Sequence, residues 1–178
     1  WDLKLKPFVV AGPRRRELSA TSTTTSWAKD VGLDARYGVT PSLNLDVTLN
    51  TDFAQVEVDE QQVNLTRFGL FFPEKRDFFL EASNFFTMGT GGSFTSTPVQ
   101  TDLFFSRRIG LSDTGQPVPI VGGARLTGKV GKNNVAVLDV QTDSAFGKPG
   151  DNFFVSRYSR DVFRRSRVGA LFVNKESV

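Results

Sequence analysis

The chain has 178 residues and a net charge of +3, from 22 Lys and Arg against 19 Asp and Glu. It contains no Cys and no His, which excludes disulfide frameworks, thiolate nucleophiles, Cys/His zinc sites and imidazole general bases. No apolar run approaches the ~20 residues of a transmembrane helix, but the alternating strands of a membrane barrel need only ~9–11 and are hidden in a mean hydropathy of −0.21.

Period-two alternation begins at once. Residues 2–9 set Leu3, Leu5, Pro7 and Val9 against Asp2, Lys4, Lys6 and Phe8. Gly12 to Ser26 reads as a long polar loop, because it joins Arg14, Arg15 and Arg16 to a Ser/Thr run. Residues 30–39 alternate again, with Val31, Leu33, Ala35, Tyr37 and Val39 on one side. Thr40-Pro41 predicts a tight corner, and residues 42–50 give the clearest strand. There Leu43, Leu45, Val47 and Leu49 share one face, and Asn44, Asp46, Thr48 and Asn50 share the other.

The next stretch breaks the pattern. Residues 71–81 hold Phe71, Phe72, Phe78 and Phe79 around the consecutive charges Glu74, Lys75, Arg76 and Asp77, with Glu81 close behind. Pro73 lacks an N–H and would interrupt a central strand. Phe85-Phe86 and the flexible Gly89 to Ser93 loop follow, so residues 71–94 are expected inside or at the rim of a barrel. Alternation resumes with Ala124, Leu126, Gly128 and Val130 opposite Arg125, Thr127 and Lys129. It continues with Ala136, Leu138 and Val140 opposite Val137, Asp139 and Gln141. Gly131 to Asn134 and Gly147 to Gly150 predict turns. The pattern is that of an all-β antiparallel meander of roughly eight to ten strands in a single segment, residues 1–178. Its charged faces suit a sheet with one wet side or an outer-membrane barrel around water.

Residues 64–81, from Asn64-Leu65-Thr66-Arg67-Phe68-Gly69 through Pro73-Glu74-Lys75-Arg76-Asp77 to Glu81, resemble the signature of a bacterial family of unknown function. Residues 50–59, 105–110, 119–129 and 164–172 resemble its flanking blocks. Members of that family join a carbohydrate-binding-like domain of the family-nine type to a C-terminal outer-membrane β-barrel. The resemblance implies a Gram-negative outer membrane and a barrel, and names no substrate. The chain carries no sugar-binding-like domain, and Asn174 to Val178 lack an aromatic-ended final strand. The expectation is therefore the first part of a barrel, a partial barrel that other chains or further strands complete.

The charged candidates are Glu74, Lys75, Arg76, Asp77 and Glu81, with Arg107, Arg108 and Arg125 as partners. Four adjacent charges cannot face hydrocarbon, and an external loop would expose the Phe residues beside them. Residues 71–81 are therefore expected to turn inward and pair with Arg107, Arg108 or Arg125. One reading makes them a salt-bridge network that holds an inward segment; the other makes them a constriction or plug that selects cargo.

The remaining candidates are weaker. Asp52, Glu57, Asp59 and Glu60 lack EF-hand spacing, and no carboxylate pair stands out as a glycosidase acid and nucleophile. Asn64-Leu65-Thr66 matches a glycosylation acceptor by chance spacing. Arg14 to Arg16 suit a solvated loop or lipid phosphates. Arg157, Arg160, Arg164, Arg165 and Arg167 lie among aromatic residues and suit a membrane interface better than single-stranded nucleic acid. No catalytic, cofactor or metal residues are expected. The expected partners are outer-membrane lipid, a saccharide or other small solute, and protein chains completing the barrel, with no nucleic acid. The expected function is a non-enzymatic barrel that conducts or docks a solute; the rivals are an anchoring or assembly subunit and a soluble β-sheet binding module.

Overall fold

The computed structural model describes residues 2–19, 22–51, 74, 76–81, 83–86, 104–112, 118–163 and 166–177. Seven antiparallel strands form one open sheet in sequence order. They are β1 (Leu3–Ser19), β2 (Ser22–Thr40), β3 (Leu43–Leu49), β4 (Ile120–Val130), β5 (Asn133–Thr142), β6 (Asp151–Val162) and β7 (Ser166–Ser177). Between β3 and β4 lie two single-turn helices, α1 (Asp77–Leu80) and α2 (Ser83–Phe86), and a 3₁₀ turn at Ser106–Arg108. The all-β antiparallel meander expected from the alternation is the architecture found. Seven strands are present among the described residues; residues 52–73 and 87–103 lie outside them.

The expected loop from Gly12 to Ser26 is corrected. Pro13 pairs with Trp27, Arg14 with Ser26, Arg15 with Thr25 and Arg16 with Thr24, so β1 and β2 form one long hairpin. Thr is β-branched and favours extended backbone, and a polar run forms a strand when its partner is in register beside it. Composition suggested a loop; pairing decided otherwise.

The turns follow local chemistry. Val130 pairs with Asn133 across Gly131-Lys132, and Gly131 takes φ +60°, the left-handed backbone that a two-residue hairpin turn needs. Thr40 pairs with Leu43 across Pro41-Ser42, and the Ser42 hydroxyl donates to the Lys129 carbonyl at 2.6 Å. The turn expected at residues 147–150 centres earlier, on Phe146 and Gly147, where Ala145 and Lys148 exchange backbone hydrogen bonds of 3.0 and 3.1 Å.

Register assigns every strand residue to a face, because directly opposed residues point the same way. One face carries Leu5, Ala35, Val47, Ala124 and their cross-strand neighbours Leu33, Tyr37, Leu45 and Leu126. It continues through Val135, Val137, Phe154, Tyr158 and Phe172, and turns polar at the end of the long β3–β4 connection, with Asp139, Gln141, Asn152, Asn174 and Glu176. The other carries Arg36, Asp46, Arg125, Thr48 and Thr127, then Leu138, Val140 and Val155. The polar face is the covered one: Asp46, Thr48 and Arg125 are 7%, 1% and 2% exposed, while Leu5, Val31 and Leu49 on the apolar face are 57%, 63% and 51% exposed. Across β3 and β4 the sheet buries Asp46 and Arg125 and, across β1 to β3, it exposes Leu5, Val31 and Leu49, which reverses the usual arrangement of a water-soluble protein.

The segment between β3 and β4 covers the polar face. Its Phe79, Phe86 and Ile109, with Ile120 at the start of β4, pack against Ala136, Leu138, Val140 and Val155 to form the core. Phe78, Phe85 and Phe104 border this cluster. Thus α1 and α2 present rings to the apolar part of the inner face, near β5 and β6. Glu81, which follows α1, meets the polar part, on β2 and β4.

Candidate functional site

Three charges stand in a row across the inner face. Arg36 on β2 opposes Asp46 on β3, and Asp46 opposes Arg125 on β4. The Asp46 carboxylate accepts from Arg36 Nε at 2.5 Å on one oxygen, and on the other from Arg125 Nη2 and Nε at 2.7 and 3.2 Å. Directly opposed residues on adjacent strands lie close enough for such pairs without any loop to position them. A neighbouring pair repeats the motif with a hydroxyl, since Thr48 Oγ1 donates to Asp34 at 2.6 Å.

The inserted segment locks onto this row. Glu81, at the end of α1, forms an ion pair with Arg36 and lies 3.5 Å from Arg125. Arg125 also donates through Nη1 to the Phe78 carbonyl, and its guanidinium lies 5.0 Å from the Phe78 ring centre. Further along the sheet, Arg157 on β6 donates to the Phe85 carbonyl at 2.7 Å, beside the last turn of α2. Arginines of the sheet thus take up carbonyls that helices this short leave unpaired at their ends.

A second charged centre lies within the insertion itself. Arg76 binds Glu74 through two nitrogens at 2.7 Å and donates to the carbonyls of Ile109 and Ser106 at 2.6 and 2.7 Å. Ser106 Oγ donates to the same carboxylate at 2.7 Å, and Arg76 stacks 4.2 Å above the Phe79 ring. Both side chains of the pair are only 9% exposed. Burial raises the Glu74 pKa, but the hydrogen bonds and charge of Arg76 and the Ser106 hydroxyl outweigh it and hold the carboxyl below its ordinary 4.5.

Of the charges singled out in the sequence, Glu81 and Arg125 meet in the first centre, and Glu74 and Arg76 in the second. Arg107 is buried in the 3₁₀ turn, and Arg108 beside it is exposed. Asp77 begins α1, and Lys75 lies outside the described residues. The acidic group Asp52, Glu57, Asp59 and Glu60 and the Asn64 triplet also lie outside them. Arg14, Arg15 and Arg16 belong to β1 rather than to a loop. Arg167 pairs with Asp161 at 2.7 Å, Arg160 is exposed, and Arg164 and Arg165 are outside the described residues.

Sequence reasoning missed Arg36 and Asp46, and it expected Arg157 at a membrane interface, whereas Arg157 lies on the covered face and donates to the Phe85 carbonyl. The signal was present for the first two: both occupy polar positions of strands joined by the Thr40-Pro41 corner, so folding that hairpin sets them opposite one another. Among the described residues no group of three or more carboxylates is arranged to hold a metal ion, and no helix is long and apolar enough to cross a membrane.

The cavity between the insertion and the sheet holds about 360 Å³ and is lined by Arg36, Asp46, Arg125, Glu81 and Phe85, with polar groups from Asn44 and Thr127.

No curated protein and no solved structure matches the chain. A family profile matches residues 2–134, from β1 through the inserted segment to the start of β5. With most of its length covered, the chain belongs to that family, the domain of unknown function DUF5916.

Proposed function

We propose that this chain is a segment of an outer-membrane β-barrel of a Gram-negative bacterium, a non-enzymatic protein that conducts or docks a small solute such as a saccharide along its charged inner face. The observation that carries the reading is the reversed facing of β1 to β4, with Leu5, Val31 and Leu49 exposed and the Asp46–Arg125 ion pair covered. In lipid that arrangement is the stable one, because hydrocarbon receives the leucines and the lumen receives the charges. Strand length agrees: β4 to β7 have 11, 10, 12 and 12 residues, against the ~9–11 that cross a bilayer at a tilt.

Connection lengths support the same reading. The turns β2–β3 and β4–β5 are short and lie at one end of the sheet, together with the β6–β7 turn, whereas the long β3–β4 connection lies at the other. Outer-membrane barrels place short turns on the periplasmic side, so in this reading the Gly131 end faces the periplasm. Outward-facing Tyr37 and Tyr158 lie toward that end, at the level of an aromatic girdle. Among the described residues β1 and β7 are the edges of the sheet, and in this reading further strands or other protein chains pair with them to close the barrel.

The test is placement of Arg at Leu45, on the exposed apolar face. In the membrane this costs up to ~2–4 kcal/mol at midplane and less toward the girdle level of its cross-strand partner Tyr37, and it weakens assembly. Membrane fractionation and detergent dependence of the wild type and of Leu45→Arg decide it. A protein that stays monomeric in water without detergent, and accepts Leu45→Arg, is a soluble β-sheet module instead.

A further inference from the structure

We infer that Arg36 and Arg125 form a binding site for a small hydroxy-carboxylate, with Glu81 occupying the place of the ligand's carboxylate. The inference deepens the solute-binding role proposed above and rests on it. Two guanidiniums converge on two carboxylates here, and the four charges cancel. The carboxylates are not held alike. Asp46 sits on β3 directly between the two arginines, its side chain 10% exposed and 2.7 Å from Arg125. Glu81 is 45% exposed, follows a single-turn helix, and stands 3.5 Å from Arg125. Asp46 is a fixture of the wall, and Glu81 is the member that can leave.

When Glu81 leaves, the site keeps one net positive charge. Arg125, only 3% exposed, stays desolvated by the fold, so a new anion meets a cation whose water has already been removed. A carboxylate is the matching anion, since Glu81 reaches both arginines through one oxygen, Oε2. The rest of the ligand is specified by the cavity. Its volume of about 360 Å³ lies at the small end of the ~300–1,000 Å³ typical of small-molecule sites. The Asn44 amide and the Thr127 hydroxyl offer hydrogen bonds to hydroxyl groups, and the Phe85 ring offers an apolar wall. A carboxylate bearing several hydroxyls satisfies all three features.

Glu81 competes from within the chain at high effective concentration, so binding to the wild type is weak and removal of that competitor strengthens it. Gluconate is the probe, with sorbitol as the polyol lacking a carboxylate and acetate as the carboxylate lacking a polyol. Calorimetric titration of the detergent-purified chain should show gluconate binding more tightly than acetate, and sorbitol not at all. Glu81→Gln should bind gluconate about tenfold more tightly, the gain expected when one charge-assisted competitor is removed. Arg36→Gln in the same background should abolish the gain. Equal binding of gluconate to wild type and Glu81→Gln, or equal binding of sorbitol and gluconate, overturns the proposal. Should Glu81→Gln not fold, the wild type decides: gluconate must raise its thermal midpoint more than acetate or sorbitol does, and Arg36→Gln must remove the difference. Detergent dependence of the wild type reports separately on the membrane reading, so failure of one is not mistaken for failure of the other.

Discussion

Arg125 and Glu74 show how charge is made tolerable under cover. Each is nearly buried, and each has its hydrogen-bonding groups matched by an opposite charge and by neutral partners. Removing one member therefore leaves the other desolvated. Arg125→Met strands Asp46, and although Arg36 still contacts that carboxylate, denaturant titration should show a loss at or below the ~3–5 kcal/mol of a broken buried pair. Glu74→Gln gives up charge-assisted hydrogen bonds worth ~1.5–3 kcal/mol. A double-mutant cycle with Arg76→Gln should return a coupling of ~0.5–3 kcal/mol. The pH dependence has a definite sign. Glu74 has its folded pKa below 4.5, so its contribution is complete above pH 4.5 and is lost as pH falls through the lower folded value. The gap in thermal midpoint between wild type and Glu74→Gln should thus be constant at neutral pH and close in acid. A gap unchanged down to the acid limit contradicts this. Sequence identified these charges as a group and Arg125 as a partner, which Glu81 meets; Arg36 and Ser106 were missed, because Glu81 reaches two strands at once and Glu74 pairs with Arg76 of its own segment and with Ser106.

At the level of elements, β3 was legible in full, whereas β5 was legible as a strand but not in which face is covered. In β3 one face is wholly apolar and the other wholly polar, so register follows directly from the alternation. In β5 both faces hold apolar residues, Val135 and Val137 on one and Ala136, Leu138 and Val140 on the other. The second set faces inward, on the same side as the charges of β3 and β4, because Phe79 and Phe86 of the insertion provide its partner. No local pattern could reveal that, since the covering rings lie far away in sequence. The long β1–β2 hairpin was hidden for another reason: polar strands lack the apolar alternation that marks an edge of structure. The β5 assignment has a measurable consequence. Leu138→Ala removes a side chain 1% exposed and should destabilise the protein by ~2–5 kcal/mol. Val137→Ala, on the opposite face of the same strand, should cost much less in detergent micelles. Equal losses at the two positions would mean that the insertion does not cover β5.

For the whole molecule the question is which solvent meets the apolar face, and adjacent residues of β7 can answer it. Phe172 and Val173 are 57% and 46% exposed and point to opposite sides of the sheet. Phe172 lies beside Phe154 on the apolar face, with ring centres 6.2 Å apart. Val173 opposes Val155 on the covered side. Both are near the middle of a 12-residue strand, at a comparable depth in any bilayer the strand crosses. Arg at either site carries the same charge and a similar loss of apolar area, so only the surroundings differ. In water the two substitutions should behave alike, each within about 0.5 kcal/mol of wild type, as exposed positions usually do. In a barrel, Phe172→Arg presents its guanidinium to hydrocarbon at a cost of ~2–4 kcal/mol, whereas Val173→Arg presents it to the polar interior. Refolding into lipid vesicles should therefore fail or weaken for Phe172→Arg and proceed for Val173→Arg. Equivalent refolding of the pair would reject the membrane reading, whatever either variant did alone.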